Sequence, residues 1–251
     1  MCFNKEMTLF FTLMSTGIGA WIFAGKGIWA PMQQWRRVRV SACFFYFAFM
    51  EGIQFIQYLV IDDCTSKTNI VWTILGFLHI CFQPLFSNLA MSGTDRNNRD
   101  GNIDYIWRFI IKLSFVTGVM MALRIILPMV YDGKNEFLEP CSDDTEGFCA
   151  PRTCTETGLY HLKWTFKLLT PNYAFPGISM HCINMFVVPV LMKQYLAAVV
   201  LFLTGPFIAM FFSATSGEQA SIWCFFSIAE TALTTLSQLY YLRKYAKEST
   251  K

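Results

Sequence analysis

Seven apolar runs follow one another along the chain, near residues 8–24, 38–61, 70–91, 106–130, 173–192, 195–213 and 219–242. Most approach or exceed the ~20 residues that carry a helix across a hydrocarbon core of ~30 Å, and none alternates apolar with polar positions as a barrel strand does. The first run is followed by Gly25-Lys26-Gly27 in place of a small-x-small cleavage site, so it is expected to persist as a helix. The predicted fold is all-α, a polytopic transmembrane bundle of seven helices forming a single domain over residues 1–251.

Composition agrees with the pattern. Of the 251 residues 54% are hydrophobic and only 15% charged, which is too apolar for an ordinary soluble domain and leaves no length for a second one. The lipid bilayer is therefore the expected partner. The net charge of +3 is unaccompanied by any Lys/Arg stripe interleaved with aromatics, and nucleic acid is not expected to bind. Where the basic residues fall is more informative than their sum. Lys26, Arg36, Arg37 and Arg39 follow the first run, Arg96, Arg99, Arg108 and Lys112 surround the start of the fourth, and Arg243, Lys244, Lys247 and Lys251 form the tail. By the positive-inside rule these segments are cytoplasmic, which predicts the N-terminus out and the C-terminus in. The long loop at about 131–172 is then extracytoplasmic. Its acidic residues Asp132, Glu136, Glu139, Asp143, Asp144, Glu146 and Glu156 outnumber Lys134, Arg152, Lys163 and Lys167.

Cysteine placement gives an independent check on sidedness. Cys43, Cys81, Cys182 and Cys224 fall inside runs and Cys2 stands alone, whereas Cys64, Cys141, Cys149 and Cys154 all fall on the predicted outer side. An even set facing an oxidising compartment predicts two disulfides, with three pairings open; the favoured one ties Cys64 to the long loop. A zinc site with His161 is the weaker reading, because no paired Cys-x-x-Cys is present. The aromatic and basic segment 158–169 is expected to lie along the outer interface, as an anchor or as a lid.

Five runs contain an ionisable residue where charge is costly: Glu51, His79, Arg124, His181 and Glu230. Counting 1.5 Å per residue from the run ends puts Glu51, His79, His181 and Glu230 within about a turn of one midplane level. Polar residues recur at helical spacing beside them: Gln54 after Glu51, Gln83 after His79, Asn184 after His181 and Gln238 after Glu230. For Gln54, Gln57, Asn184 and Gln238 taken singly, interhelical hydrogen bonding is a sufficient explanation. Arg124 lies in the outer half of its run, free either to snorkel or to pair inward with Glu51 or Glu230. Pro84, directly after Gln83, marks a kink that would free carbonyls beside His79.

Two carboxylates and two imidazoles can bind a metal, relay protons or act as general acid and base. No cofactor is predicted. A divalent metal on His79, His181, Glu51 and Glu230 stays open as an alternative, although no run holds two chelating ligands. Gly-x-Ser-x-Gly, a phosphate cradle and a mid-depth Lys for retinal are all missing.

Met1-Cys2-Phe3, Met50-Glu51-x-x-Gln54-x-x-x-Tyr58, Asp63-Cys64, the block from Gly76 to Pro84, the stretch from Cys149 to Trp164, and Trp223-Cys224 together resemble an uncharacterised family of polytopic membrane proteins from microbes and large algal viruses. Phe3 departs from the Trp of many relatives. The resemblance implies that Glu51, Gln54, His79 and Gln83 occupy family motif positions, and it carries no assigned activity. The leading expectation is a membrane protein that binds or translocates a small solute, ion or proton at a buried polar site. A lipid-modifying or hydrolytic enzyme is the alternative, and a receptor or assembly protein the third.

Overall fold

Seven helical runs are present among the described residues. They are α1 (Lys5–Ala24), α2 (Gln34–Leu59), α3 (Lys67–Thr94), α4 (Gly101–Val130), α5 (Ile178–Leu191), α6 (Tyr195–Phe212) and α7 (Ser216–Glu248). The computed structural model describes residues 4–95, 101–130 and 138–248, without the side chains of 101–103, 230, 234, 235 and 237–248. Cys2, Arg96, Arg99, Asp132, Lys134, Glu136 and Lys251 therefore lie outside the described residues, as do the side chains of Glu230, Gln238, Arg243, Lys244 and Lys247.

Helices α1 to α4 and α6 are long and apolar enough to cross a bilayer. Helix α1 starts on an Asn4 side chain that accepts the Met7 N–H, and it ends at Gly25, whose φ of 65° is left-handed. Helix α5 differs from expectation. The run from 173 begins as a turn in which Asn172 Oδ1 accepts the N–H groups of Ala174 and Phe175, and Pro176 and Gly177 delay the helix to Ile178. About 14 residues remain, roughly 21 Å and shorter than the hydrocarbon core, yet α5 runs from Glu146 at the hairpin end to Gln194, which reaches the Met91 carbonyl near the other end of α3. Both α5 and α6 contain a π-turn, at Ile183–Val187 and Leu203–Phe207. Pro206 sits in the second, where its missing N–H and bulky ring disfavour regular α-bonding. Pro84, by contrast, lies inside an unbroken α3.

One end of the bundle is closed by side chains reaching helix ends. Arg36 donates to the carbonyls of Gly93 and Asp95 at 3.0 and 2.8 Å, and Trp107 Nε1 donates to Asp95 Oδ2 at 2.8 Å. The opposite end is closed by the long loop, and here the all-α expectation fails in part. Residues Cys154–Thr157 (β1) and Leu162–Thr165 (β2) form an antiparallel hairpin. This hairpin does not lie along the surface as an interfacial segment. Leu162, Trp164, Phe166 and Leu168 are all at most 1% exposed, wedged between α3 and α7. On the β1 side Asn69 exchanges hydrogen bonds with the Thr155 backbone (2.9 Å each way). On the β2 side Gly217 of α7 lies against Trp164, whose carbonyl oxygen would be 2.1 Å from any Cβ there. Gln57 of α2 links the layers, donating to the Trp72 carbonyl at 2.9 Å and accepting Trp164 Nε1 at 3.0 Å.

The four loop cysteines pair as Cys64–Cys154 and Cys141–Cys149. The first pairing is the expected tie between the second loop and the long loop. It closes a sequence separation of 90 residues, so its loss is expected to cost about 2–5 kcal/mol. Cys64→Ser with Cys154→Ser should lower the apparent Tm by several degrees and reduce the shift that reductant causes in the parent protein to the part due to Cys141–Cys149. Equal melting of the two proteins in reductant-free buffer would contradict this.

Candidate functional site

Helix α2 carries the site because its polar residues repeat with helical period. Glu51, Gln54 and Tyr58 stand at i, i+3 and i+7, so they form one stripe on one face. Gln54 Nε2 donates to the Ser221 carbonyl of α7 at 3.2 Å, which fixes that face against α7. Glu51 is 0% exposed, and neither of its carboxylate oxygens has a hydrogen-bond partner among the described residues. Gln54 Oε1 is in the same condition. Three buried oxygen acceptors thus lie within one turn of helix with no donor bonded to them among the described residues. Glu51 stands eight residues before the end of α2 at Leu59, or roughly 12 Å from the hairpin end at the helical rise.

The upper end of the stripe meets the hairpin. Tyr58 Oη lies 2.6 Å from His161 Nδ1, with the two rings stacked at a 13° interplanar angle. Both Glu51 and Glu218 lie within electrostatic reach of the Tyr58 hydroxyl. His161 sits at the hairpin tip, 0% exposed, with Phe225 of α7 edge-on to its ring at 5.5 Å. Burial pushes its imidazole down to about 3, so the ring is neutral near pH 7. The tip is held by Glu218, in the first turn of α7. Its Oε1 accepts the backbone N–H groups of Tyr160 (2.5 Å) and His161 (2.9 Å), and its Oε2 accepts the Ser213 hydroxyl at 2.7 Å.

Burial works against the Glu218 carboxylate, but these hydrogen bonds outweigh it and hold the group below its ordinary value. A carboxyl depressed in the folded state stabilises it above the unfolded value near 4.5, and that stabilisation is lost as pH falls through the lower folded value. Hydrogen exchange at the Tyr160 and His161 amides is therefore expected to show protection that is full at neutral pH and falls as pH drops below the ordinary carboxyl value near 4.5. Glu218→Gln should weaken this protection at neutral pH and flatten its pH dependence. A wild-type profile in that variant would contradict the latch.

The other predicted residues are distributed around the bundle. His79 Nε2 is 2.8 Å from the Tyr46 carbonyl, and its ring stacks on Tyr46 at 3.7 Å. Tyr46 and Glu51 are about 140° apart on α2 at 100° per residue, so His79 meets a different face from the one that carries Glu51. His181 is 1% exposed, edge-on to Trp223 at 5.4 Å, and approaches the Ile80 carbonyl without a hydrogen bond of good geometry. Gln83 donates to Ser227 Oγ at 3.2 Å and borders a cavity of about 190 Å³ that Cys182, Pro206, Gln219, Trp223 and Cys224 also line. Asn184 Nδ2 donates to Thr117 Oγ1 at 2.9 Å, an interhelical contact, while its carbonyl in the π-turn accepts Asn88 at 3.3 Å.

Arg124 turns inward and meets a carboxylate of the long loop, not Glu51; the side chain of Glu230 lies outside the described residues. It is 1% exposed and forms an ion pair with Glu146 of the long loop at 2.6 Å, at an angle unsuited to a linear hydrogen bond. Its Nε donates to the Leu169 carbonyl at 2.9 Å, and Glu146 Oε1 accepts the first N–H of α5, from Ile178, at 2.6 Å.

Among the described residues, His, Cys, Asp and Glu ligand atoms gather in threes within 4.8 Å only at the two disulfides. Those sulfurs are already bonded to each other, and Glu51, His79 and His181 belong to neither group.

A family profile described as a family of unknown function, DUF5765, matches residues 17–246. The chain belongs to that family. No curated protein and no solved structure matches it. The matched DUF5765 region contains the whole α2–α7 seam and the hairpin, and it begins after residues 1–3.

Proximity of Glu218, His161 and Glu146 to this machinery escapes the linear reading. Thr215-x-x-Glu218 has the spacing of a capping box, the one local signal that could have marked Glu218. The carboxylate is instead turned to the hairpin.

Proposed function

We propose that this is an integral membrane protein, N-terminus out and C-terminus in, that binds and moves a proton or small cation at Glu51. The observation that carries the reading is the isolation of that carboxylate: 0% exposed, with both oxygens unpartnered among the described residues. Charge buried without compensation costs several kcal/mol, so the group is matched to a positive occupant. Gln54 Oε1 adds a third oxygen of the hard, neutral kind that small cations and hydronium accept.

The membrane setting is supported by five sufficiently long apolar helices and by large exposed apolar side chains such as Phe10, Leu13, Phe109, Phe115, Phe202 and Phe211. Two disulfides at the hairpin end match an oxidising compartment on that side. Arg36 and Arg39 at the other end match the cytoplasmic one.

Infrared difference spectroscopy of the purified chain tests the binding step. On acidification, or on addition of Na⁺, K⁺ or Ca²⁺, a buried carboxyl signal is expected to change in the parent protein and to be missing from Glu51→Gln. Identical difference spectra in the two proteins would refute the assignment.

A further inference from the structure

Resting on the reading of Glu51 as the binding group, we infer that its cargo is a proton and that the Tyr58–His161 pair carries that proton between Glu51 and the hairpin end of the bundle. A phenol and an imidazole in hydrogen-bond contact pass protons, whereas one neutral phenol oxygen beside a ring nitrogen is not the cage of several oxygens that a hard cation such as Ca²⁺ takes. Their contact at 2.6 Å is already at transfer distance. Tyr58 shares the stripe of Glu51, seven residues and roughly 10 Å along the helix axis from it. Gln54 lies between them, with its Oε1 buried in the same seam and without a partner among the described residues. That span is too long for a single hop, so Gln54 and water entering the seam would have to complete the chain.

The transfer balances as follows. A proton arriving at His161 Nε2 releases the one on Nδ1 to the Tyr58 oxygen, while the phenol's own proton moves on toward Gln54 and Glu51. One proton enters and one is delivered, converting the Glu51 carboxylate to the acid. The imidazole is left in its other tautomer, which a ring turn or the reverse hop resets. The titratable groups facing the pair are Glu51 from α2 and Glu218 from α7, with Phe225 packed edge-on to the imidazole. Glu218 acts as a positioning residue: it grips the backbone N–H of His161 and so sets where the ring stands.

Full-length protein in liposomes containing a pH-sensitive dye, placed in a pH gradient, gives the test. Tyr58→Phe and His161→Gln are each expected to slow proton flux about tenfold or more, while the carboxyl signal of Glu51 persists. A fluorinated tyrosine at position 58 preserves packing but makes the phenol more acidic, and it should shift the pH profile of flux. That variant, with Tyr58→Phe, keeps the test decisive should His161→Gln fail to fold. Wild-type flux and profile in the position-58 variants, with flux lost in Glu51→Gln, would overturn the relay and leave Glu51 standing. Flux of Na⁺ or K⁺ without protons would overturn the proton as cargo. Undiminished flux in Glu51→Gln would overturn both the relay and the reading beneath it.

Discussion

Arg124→Ala is expected to lower the apparent Tm by on the order of 10 °C, the largest stability loss of any single substitution described above. Arg124 and Glu146 are 1% and 8% exposed in their side chains, so removing the cation leaves a carboxylate buried with no opposite charge. Breaking such a pair costs about 3–5 kcal/mol, far more than an exposed pair is worth. The damage should also spread. Glu146 caps the first N–H of α5 at Ile178 and lies between Cys141 and Cys149, while Arg124 anchors Leu169 through both its backbone carbonyl and its Nε. The double replacement Arg124→Met with Glu146→Gln, which removes both charges, should recover much of the loss. A thermal melt of both variants in the same detergent decides it; equal losses would mean that packing and not charge is at stake.

Helical periodicity made much of this molecule readable in advance. All seven apolar runs correspond to helical runs, and the tie from Cys64 to the long loop was favoured because four cysteines fell on one predicted side. The pairing of Glu51 with Gln54 on one face is equally visible, since i and i+3 share a face of one helix, whereas Tyr58 stands in the sequence reading only within the motif that resembles the family. What a single run cannot tell is which neighbour each face meets. Counting depth put His79 and Glu51 at one level, yet rotation around α2 separates them, because Tyr46 occupies the face turned to His79.

The long loop was the least legible part. Its alternating Leu162, Trp164, Phe166 and Leu168 have strand periodicity, but beside His161, Lys163 and Lys167 they read equally well as an interfacial anchor. Only the docking partners decide, and those lie far off in sequence: Asn69 and Gln57 on one side, Gly217 and Glu218 on the other. Arg124 shows the same limit. A buried cation seeks a carboxylate, and the one it found lies in the loop and not in a helix.

The second large effect falls on Glu51. Glu51→Gln keeps shape and volume while removing the charge that a proton or cation would match, so folding should be nearly unaffected and transport should stop. The variant is expected to melt within a few degrees of the parent protein, because no hydrogen bond or ion pair to a described residue is lost with the carboxylate. The decisive measurement is ion flux into sealed liposomes carrying either protein, with H⁺, Na⁺, K⁺ and Ca²⁺ gradients imposed in turn. Flux of one of these ions in the parent protein, reduced at least about tenfold in Glu51→Gln at equal incorporation, is the predicted result. Equal flux in the two proteins, or no flux in either, would contradict it.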